Sequence, residues 1–489
     1  MTDPTIDAPG TTTPAVQWVV STETAPWQTR DGLSLTDPAG MPDVFVKPEQ
    51  TRQRIEGFGA AFNELGWTAL SALSAQDRAG ILEEMFAPGV GGNFTVGRMP
   101  IGANDFSRDW YSYDEVEDDF ELEHFSIDND LDTLVPFIRS AQQHQPDLTV
   151  WASPWSPPTW MKTNRHYAGA MPMVGYQNVE NGLRPDQVGA EGTDMFLQDD
   201  RYLAAYAAYF GRFIDAYREL GIPIDMVMPQ NEFNSAQIFP SCTWTPEGLA
   251  RFIRHLGPAM AARGVDVFLG TLERADSALV DGVFADAEAA AHITGLGIQW
   301  HGKGAVAFLH RDYPELRIFQ TEQECGDGLN DWRYARYAWT LMKQFLGGGA
   351  SAYLYWNLAL ERGGVSRWGW SQNSLVTVDA ATGHFEYTHE YYLLKHLSHF
   401  VQPGARRIET LSYTGYDNQL AFLNPDGAVV IVMQNDTGVD QPVTLLLGDQ
   451  VSRPRCPPTR SAPSACRRPA SGSPCPVGRV PVVELVETW

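Results

Sequence analysis

The chain has 489 residues, 43% of them hydrophobic and 19% charged, which is typical of a globular protein with one large and one small domain. Its formal net charge of −25 makes nucleic acid and anionic membranes poor partners, and we expect neither. Only five cysteines occur, without the spacing of a zinc site, so the composition predicts no disulfide framework and no metal centre.

The N-terminal part of the chain contains two short runs that are typical of strands. Residues 1–28 lack the basic start and apolar centre of a secretory leader, and no stretch of about 18 consecutive apolar residues occurs. We therefore expect a cytoplasmic protein without stable membrane insertion. Residues 16–20 and 44–46 are predicted to be strands of a small sheet, since both runs are apolar and bounded by turn-forming residues.

From residue 53 to residue 400 the chain alternates strand-like apolar runs with helical patterns. This alternation is typical of repeated βα units around a parallel sheet. Eight such runs occur, and eight units predict a closed (β/α)8 TIM barrel, an α/β fold, over residues 53–400. The predicted strands end at residues 57–59, 98–100, 150–153, 226–228, 267–270, 297–300, 318–321 and 353–356.

The helix predicted before the fourth strand and the segment preceding it differ in pattern. Aromatic residues recur on one face of the helix, from Tyr202 through Tyr209 to Tyr217, and Gly221 is expected to end it. We interpret this stripe as core. Residues 166–198 show little periodicity, and because long loops in compact domains are often functional, this loop is predicted to shape a binding site above the barrel.

Beyond residue 404 the pattern returns to short β runs separated by turns. Together with the N-terminal strands, these runs predict a small β-sandwich domain over residues 15–52 and 401–450, built from both chain ends. The remaining residues, 451–489, hold eight prolines, six arginines and three cysteines without an amphipathic pattern. This composition predicts a disordered tail, or an aberrant one that reflects a frame error in the gene.

Two predicted barrel strands are followed by carboxylates. Glu232 lies in Pro229-Gln-Asn-Glu-Phe233 after the fourth strand, and Glu322 lies in Thr321-Glu-Gln-Glu-Cys325 after the seventh. Both should reach the face where (β/α)8 enzymes keep their chemistry. A pair of carboxylates suits glycosidic bond cleavage, with one as acid and the other as nucleophile or as base for a water. Sequence spacing does not show whether the second carboxylate is close enough to attack the sugar or far enough away to leave room for a water. It also does not show whether Glu322 or Glu324 is this carboxylate, because residues two apart in a strand point to the same face.

Polar and aromatic residues at other strand ends are suited to sugars rather than to metals. They are Asp105 after the second strand, Trp155 after the third, His301 after the sixth and Trp356 in the eighth. Flat aromatic faces and hydroxyl-binding carboxylates are typical of carbohydrate sites. The sequence contains no serine-hydrolase, zincin or nucleotide-binding motif, and four histidines between residues 384 and 399 are interpreted as surface residues.

Several motifs occur in a recognisable order between residues 53 and 447. They are Ile55-Glu-Gly-Phe-Gly-Ala-Ala-Phe62, Asn104-Asp-Phe-Ser107, Ser153-Pro-Trp-Ser-Pro-Pro-Thr-Trp-Met-Lys162, Gln230-Asn-Glu232, Thr321-Glu322, Tyr355-Trp-Asn-Leu-Ala-Leu360 and Lys395-His-Leu-Ser-His-Phe-Val-Gln-Pro-Gly404. Together they resemble glycoside hydrolase family 30, the family that includes the glucosylceramidases. The resemblance implies a (β/α)8 barrel with an attached β-sandwich, retention of configuration, and neither a metal nor an organic cofactor.

The same resemblance implies a role for individual residues. Glu232 is expected to be the acid/base, Glu322 the nucleophile and Glu324 a carboxylate behind them. Residues expected to line the glycone subsite are Asp105, Trp155, Asn231, His301 and Trp356. Among these, Asn231 is expected to bond the sugar 2-hydroxyl as the transition state forms.

Two departures from the family pattern leave the substrate open. Phe233 stands where many members have proline, and the segment 323–328 differs from that of the lysosomal glucosylceramidases. We predict an exo-acting β-glycosidase on small glycosides or oligosaccharides, with a β-glucoside, β-fucoside or β-xyloside as substrate. The alternatives are an endo-β-1,6-glucanase or galactanase, which lacks the wall that residues 166–198 would build across an exo cleft, and a non-catalytic carbohydrate-binding relative. The sequence leaves the oligomeric state unknown.

Overall fold

Eight parallel strands in the central part of the chain close into a barrel. The structure, a computed structural model, describes residues 16–38, 40–173, 179–324, 326–456 and 483–488. The barrel strands are β1 (Gly57–Ala61), β2 (Val96–Pro100), β3 (Thr149–Ser153), β4 (Met226–Val227), β5 (Asp266–Leu272), β6 (Ile293–Gln299), β7 (Arg317–Glu322) and β8 (Ala352–Asn357). Hydrogen bonds join each strand to the next and β8 to β1, which confirms the predicted TIM barrel.

The barrel strands are apolar because they are buried along almost their whole length. Parallel strands covered by crossover helices have no solvent face. One buried cluster draws on six of these strands and contains Val96, Trp151, Met226, Met228, Phe268, Phe319, Ala352 and Leu354. Arg98 in β2 departs from these apolar runs, since its charged side chain is fully buried, and Gln299, Gln320 and Glu322 are further buried polar residues of the barrel strands.

Helices connect the barrel strands. Among the described residues they are α1 (Glu64–Ser71), α2 (Ala75–Phe86), α3 (Leu134–Gln142), α4 (Asp200–Glu219), α5 (Pro246–Ala261), α6 (Ser277–Phe284), α7 (Ala287–Ala290), α8 (Val306–Asp312), α9 (Trp332–Gly348) and α10 (His389–Ser398). Short 3-10 helices cover Asp128–Asp132, Thr159–Met161, Pro185–Gln187 and Trp300–Ala305. A small sheet joins Ala359–Glu361, Val376–Asp379 and His384–Tyr387. Within the described ranges, none of the helices has the length and apolarity to span a membrane.

Two sequence interpretations can be compared with these helices. In α4, Tyr209 and Tyr217 are buried, which confirms that the aromatic stripe is core, and Gly221 follows the helix with a φ of +76° that suits glycine. The histidine interpretation is wrong for His396, which is fully buried in α10. The polar residues Glu390 and Lys395 of α10 are buried as well. The polarity of the residues in α10 therefore did not indicate which of them face solvent.

The other unit combines the residues up to Arg52 with those from Ala405 onward, and it contains a nine-stranded sheet. In hydrogen-bonded order the strands are Ala25–Arg30, Trp18–Thr22, Val483–Thr488, Val429–Met433, Gln419–Leu423, Arg406–Ser412, Val44–Arg54, Leu445–Leu447 and Gln450–Ser452. Gln441–Pro442 pairs separately with Arg455–Cys456. Both chain ends thus contribute to one β domain, whose buried core includes Val44, Ile408, Ile431 and Leu445.

The tail predicted to be disordered or aberrant, residues 451–489, contains a paired strand. Val483–Thr488 lies parallel to Trp18–Thr22 on one side and to Val429–Met433 on the other. For this segment the prediction of disorder is wrong, because its sequence, Val-Glu-Leu-Val-Glu-Thr, is rich in residues that favour strands. Residues 457–482 of the predicted tail lie outside the described residues.

Candidate active site

A cavity of about 520 Å³ lies at the carboxyl ends of the barrel strands. Strand ends and loops from β2 to β8 each bring a side chain to it. In chain order, these side chains are Asp105, Trp155, Glu232, Glu273, Trp300, Glu322 and Trp370. The carboxylates predicted from two separate strand ends, Glu232 and Glu322, therefore line the same cavity.

Glu322 is the last residue of β7 and is held by two donors. Arg98 Nη1 donates to its Oε2 over 2.7 Å, and Gln299 Nε2 donates to the same oxygen over 3.0 Å. The carboxylate is almost buried, with 7% of the residue exposed. Because both bonds end on Oε2, Oε1 is left to the cavity.

Arg98 is the cation beneath the cavity. Its guanidinium lies within about 5 Å of the ring centres of Trp151, Trp155 and Trp356, where cation–π attraction is favourable. Its Nη2 donates to Asn231 Oδ1 over 2.6 Å. A fully buried arginine needs such partners, since an unpaired charge in the interior is strongly unfavourable. Arg98 thus ties the carboxylate of β7 to the loop after β4.

Asn231 is oriented by three donors on one oxygen. Its Oδ1 accepts from Arg98, from Gln299 Nε2 over 2.9 Å and from Thr271 Oγ1 over 3.2 Å. The amide oxygen can therefore point only toward these donors, and the Nδ2 group is left for a ligand. Asn231 does not itself belong to the cavity lining, although the next residue, Glu232, does.

Glu232 is held in an unusual backbone conformation. Its φ is +49°, in the left-handed region that residues other than glycine rarely adopt, and such positions are common at functional sites. The backbone N–H donates to Thr271 Oγ1 over 2.8 Å, and the side-chain Oε2 accepts from Gln237 Nε2 over 2.8 Å. The ion pairs of the described residues include none that ends on Glu232, in contrast to Glu322.

The pKa values of the two carboxyl groups are shifted by different neighbours. Burial, together with the neighbouring charges of Glu322 and Glu273, raises the pKa of Glu232 to about 8. Burial raises the pKa of Glu322 to about 8 as well, but there the Arg98 guanidinium opposes the rise. Because only Glu322 is paired with a cation, of the two it is the one that loses its proton first, and its negative charge then favours a protonated Glu232. The arrangement therefore favours an ionised Glu322 beside a protonated Glu232.

Of three other residues predicted to line the site, Asp105 and Trp155 line the cavity, whereas Trp356 is fully buried and does not belong to the lining. Trp155 and Trp356 stack with ring centres 5.1 Å apart, and Trp356 Nε1 donates to Asp105 Oδ2 over 3.3 Å. Asp105 is 4% exposed, and its Oδ1 is buried without a hydrogen-bond partner. Burial raises the pKa of Asp105 to about 7. A ligand hydroxyl would satisfy this oxygen.

The positions of His301 and Glu324 also differ from the sequence expectations. His301 does not line the cavity: its ring stacks on Trp300 at 5.0 Å, and its Nδ1 lies 3.0 Å from Glu273 Oε1. Trp300 and Glu273 line the cavity instead, because the chain turns into a 3-10 helix at Trp300. Glu324, expected behind the site, lines the cavity itself.

The loop expected to shape the cleft is not the one that lines it. Of the described residues between 166 and 198, none belongs to the lining. Residues 326–327 and 369–372 contribute instead. These two segments are tied together by Asn373, whose Oδ1 accepts from the backbone N–H groups of Gly328 and Asn330.

Sequence reasoning missed Arg98, Gln299, Gln237 and Glu273. For Arg98 and Gln299 a signal was present, since a charged or amide side chain within a strand that is buried on both faces needs a polar partner. For Glu273 a signal was present too, since it directly follows β5, as a strand-end carboxylate should. For Gln237 no pattern in the sequence indicates its direction, because it lies in an irregular loop.

The raised pKa of Glu232 predicts a pH-dependent effect on stability. A carboxyl group whose pKa rises on folding stabilises the protein fully below its unfolded pKa of about 4.5, and this contribution is lost as the pH rises through about 8. Glu232→Gln cannot lose a proton, so its Tm relative to wild type should increase between pH 5 and pH 8, by about 2 °C or more. Thermal unfolding at both pH values measures this.

The exposed Glu219→Gln serves as the matched control, and its Tm difference from wild type should not change between the two pH values. A Tm difference for Glu232→Gln that stays constant or shrinks with rising pH would contradict the burial of a protonated Glu232.

Comparisons with known proteins agree with this architecture. A sequence model described as "Glycosyl hydrolase family 30 TIM-barrel domain" matches residues 55–181 and 185–401, and one described as "Glycosyl hydrolase family 30 beta sandwich domain" matches residues 404–462. Together the two models cover most of the chain, and they assign its two units to the same family.

Individual relatives carry different activities in their names. A protein named putative glucosylceramidase 1 from Caenorhabditis elegans is 30% identical over 425 residues, which is 82% of this chain and 77% of that protein. The endo-1,6-beta-D-glucanase neg1 of Aspergillus fumigatus is 28% identical, over 81% of each chain. The crystal structure of SrfJ from Salmonella typhimurium superposes with a TM-score of 0.77 at 24% identity, covering 89% of this chain and 94% of that one. This last likeness concerns the fold alone.

Proposed function

The chain belongs to glycosyl hydrolase family 30 and is a glycoside hydrolase, and from this premise we propose that it cleaves β-O-glycosidic bonds with retention of configuration. The observation that carries the proposal is the pair of unlike carboxyl groups in one cavity, Glu322 beside a cation and Glu232 without one. Retaining hydrolysis needs an ionised nucleophile and a protonated acid at the same time.

In the first step, Oε1 of Glu322 attacks the anomeric carbon. The bond from that carbon to the aglycone oxygen breaks, and Glu232 transfers its proton to this oxygen. The products are a glycosyl ester of Glu322 and a free alcohol. Arg98 and Gln299 stay on Oε2 of Glu322 and keep the carboxylate oriented during the attack.

In the second step, water attacks the anomeric carbon of the ester. Glu232, now ionised, takes a proton from this water, and Glu322 leaves as a carboxylate. The loss of the negative charge on Glu322 in the intermediate also removes a repulsion that had raised the pKa of Glu232. Glu232 can therefore act as acid in one step and as base in the next.

The glycone is proposed to bind at the end of the cavity where Asp105, Trp155 and Trp356 meet. The unpartnered Oδ1 of Asp105 can accept from a sugar hydroxyl, and the ring of Trp155 offers a flat face. The Nδ2 group of Asn231 is free to donate to the 2-hydroxyl. Glu273, rather than His301, is positioned to reach a ligand directly from the β5 side.

We favour exo action on a small β-glycoside, with a β-glucoside, β-fucoside or β-xyloside as the substrate. The unpartnered Oδ1 of the buried Asp105 and the ring of Trp155 support a terminal sugar there, whereas the described residues of 166–198, expected to wall off an exo cleft, do not line the cavity. A second candidate is an endo-β-1,6-glucanase activity. It is favoured by the polar groups of Glu324, Asp327 and Gln372 in the lining, which suit the hydroxyls of a further sugar better than a lipid chain.

A panel of aryl β-glycosides tests the proposal. We expect wild-type protein to turn over one of the glucoside, fucoside, galactoside and xyloside best, which identifies the glycone. Digestion of β-1,6-linked glucan oligosaccharides then separates the two candidates, because exo action releases monosaccharide from one end and endo action releases shorter oligosaccharides. Failure on every aryl glycoside and oligosaccharide, by protein shown to be folded, would contradict the proposed activity and favour a carbohydrate-binding relative.

A further inference from the structure

Gln237 lies five residues after Glu232 in the loop that follows β4, and it lines the cavity beside that carboxylate. Hydrogen bonds hold both the backbone N–H and the backbone carbonyl group of Gln237 in place. Its N–H donates to Ser241 Oγ over 2.9 Å, and its carbonyl oxygen accepts from the N–H groups of Gly169 and Ala170 over 2.9 and 2.8 Å. The long loop that does not line the cavity thus supports a residue that does.

The side-chain amide of Gln237 has both of its hydrogens in use. Nε2 donates to Glu232 Oε2 and to Ser235 Oγ, each over 2.8 Å. Ser235 Oγ also faces the guanidinium of Arg274, whose Nη2 lies 3.4 Å away. Because the serine oxygen faces these donors, the amide nitrogen of Gln237, and not its oxygen, is turned toward Glu232.

We propose that Gln237 is a positioning residue that fixes which oxygen of Glu232 carries the catalytic proton. In a carboxylic acid the carbonyl oxygen is a stronger hydrogen-bond acceptor than the hydroxyl oxygen, so an N–H donor on Oε2 favours the form of Glu232 in which Oε1 carries the proton. The same oxygen gives the proton to the departing aglycone and takes one from water afterwards. This inference rests on the proposed function, because it assumes that Glu232 is the acid/base.

The other groups around Glu232 differ from Gln237 in their main partners. The charged neighbours Glu322, Glu273 and Asp105 are acceptors when ionised, and Arg98 donates to Glu322 and Asn231 instead. Arg274 is paired with Glu191 and Glu273. Gln299 is a second donor to Glu232, and its hydrogen bond also lowers the pKa of that carboxyl group, but its bonds of 2.9 and 3.0 Å go to Asn231 and Glu322.

Leaving-group dependence separates proton positioning from a general structural effect. An activated leaving group such as 2,4-dinitrophenolate departs with little protonation, whereas phenolate needs the acid. For Gln237→Met we expect kcat/KM to fall by about 10- to 100-fold on phenyl β-glucoside, a part of the total effect of general acid catalysis, and by less than about 3-fold on dinitrophenyl β-glucoside. Aryl glycosides of another glycone replace the glucosides if the panel identifies one.

Two further variants keep the test decisive. Gln237→Glu has the same shape without the N–H donor, and it should show the same selective loss even if Gln237→Met does not fold. The exposed Gln143→Glu introduces the same charge far from the cavity and should leave both rates unchanged. Equal losses on the two leaving groups, or no loss on either, would overturn the inference.

Glu232→Gln, measured with the same substrates, tests the acid role of Glu232 separately from the positioning role of Gln237. If Glu232→Gln selectively loses activity on phenyl β-glucoside and the Gln237 variants do not, only the positioning role of Gln237 is contradicted. If Glu232→Gln shows no selectivity for the leaving group, Glu232 is not the acid and the proposed function fails with it.

Discussion

Glu322→Gln is expected to lower kcat/KM on the best aryl glycoside by about 10⁴-fold or more, equivalent to about 5.4 kcal/mol of transition-state stabilisation. The amide has the shape of the carboxylate but cannot form the glycosyl ester. Because Arg98 and Gln299 can still reach the retained oxygen, the variant should fold. Steady-state kinetics with the purified variant, beside its thermal unfolding curve, measures both effects.

Glu324→Gln is the matched comparison for this prediction. Glu324 lies two residues on in the same segment and also lines the cavity, but the described hydrogen bonds from Arg98 and Gln299 end on Glu322. We expect a loss of about tenfold or less, as for a residue that contacts the ligand without reacting with it. A larger loss in Glu324→Gln than in Glu322→Gln would exchange the two roles and contradict the account.

Arg98→Met should reduce both stability and activity. It leaves Glu322 buried without its cation, and breaking a buried pair in this way costs about 3 to 5 kcal/mol. It also removes the group that favours the ionised form of Glu322, so the pKa of that carboxyl should rise. Less nucleophile is then ionised at any given pH, and the acidic limb of the kcat/KM profile should move to higher pH.

Urea unfolding and a pH–rate profile measure these two effects of Arg98→Met. Arg98→Lys keeps the charge but loses the planar fork that reaches Glu322 and Asn231 together, so an intermediate loss is expected. The exposed Arg251→Met is the control, and its free energy of unfolding should stay within about 0.5 kcal/mol of wild type. An Arg98→Met variant as stable as this control would contradict the proposed buried pair.

The barrel could be predicted because its sequence pattern has a direct physical cause. Strands covered on both faces are apolar throughout, and helices between them show one apolar face, so the alternation survives in the sequence. The placement of Glu232 and Glu322 followed from the same pattern, since Glu322 ends β7 and Glu232 lies in the loop that follows β4. Their separate roles were not predictable from position, because they depend on Arg98, which lies more than a hundred residues from either.

The walls of the cavity were less predictable. The irregular sequence of residues 166–198 indicated a long loop, but not which neighbour it packs against, and segments 326–327 and 369–372 provide the lining instead. His301 and Trp300 differ by one position, and the 3-10 turn that begins there decides which of them faces the cavity. Such choices depend on tertiary contacts that leave no periodic trace in the sequence.

A covalent trap tests the central claim most directly. A 2-deoxy-2-fluoro aryl glycoside of the preferred glycone slows the second step, so the glycosyl ester should accumulate and raise the mass of the intact protein by one fluorosugar. Peptide mapping of the trapped protein should then place the sugar on Glu322. An adduct on Glu324 or Glu232, or rapid turnover that yields an inverted sugar and no adduct, would contradict the double displacement proposed here.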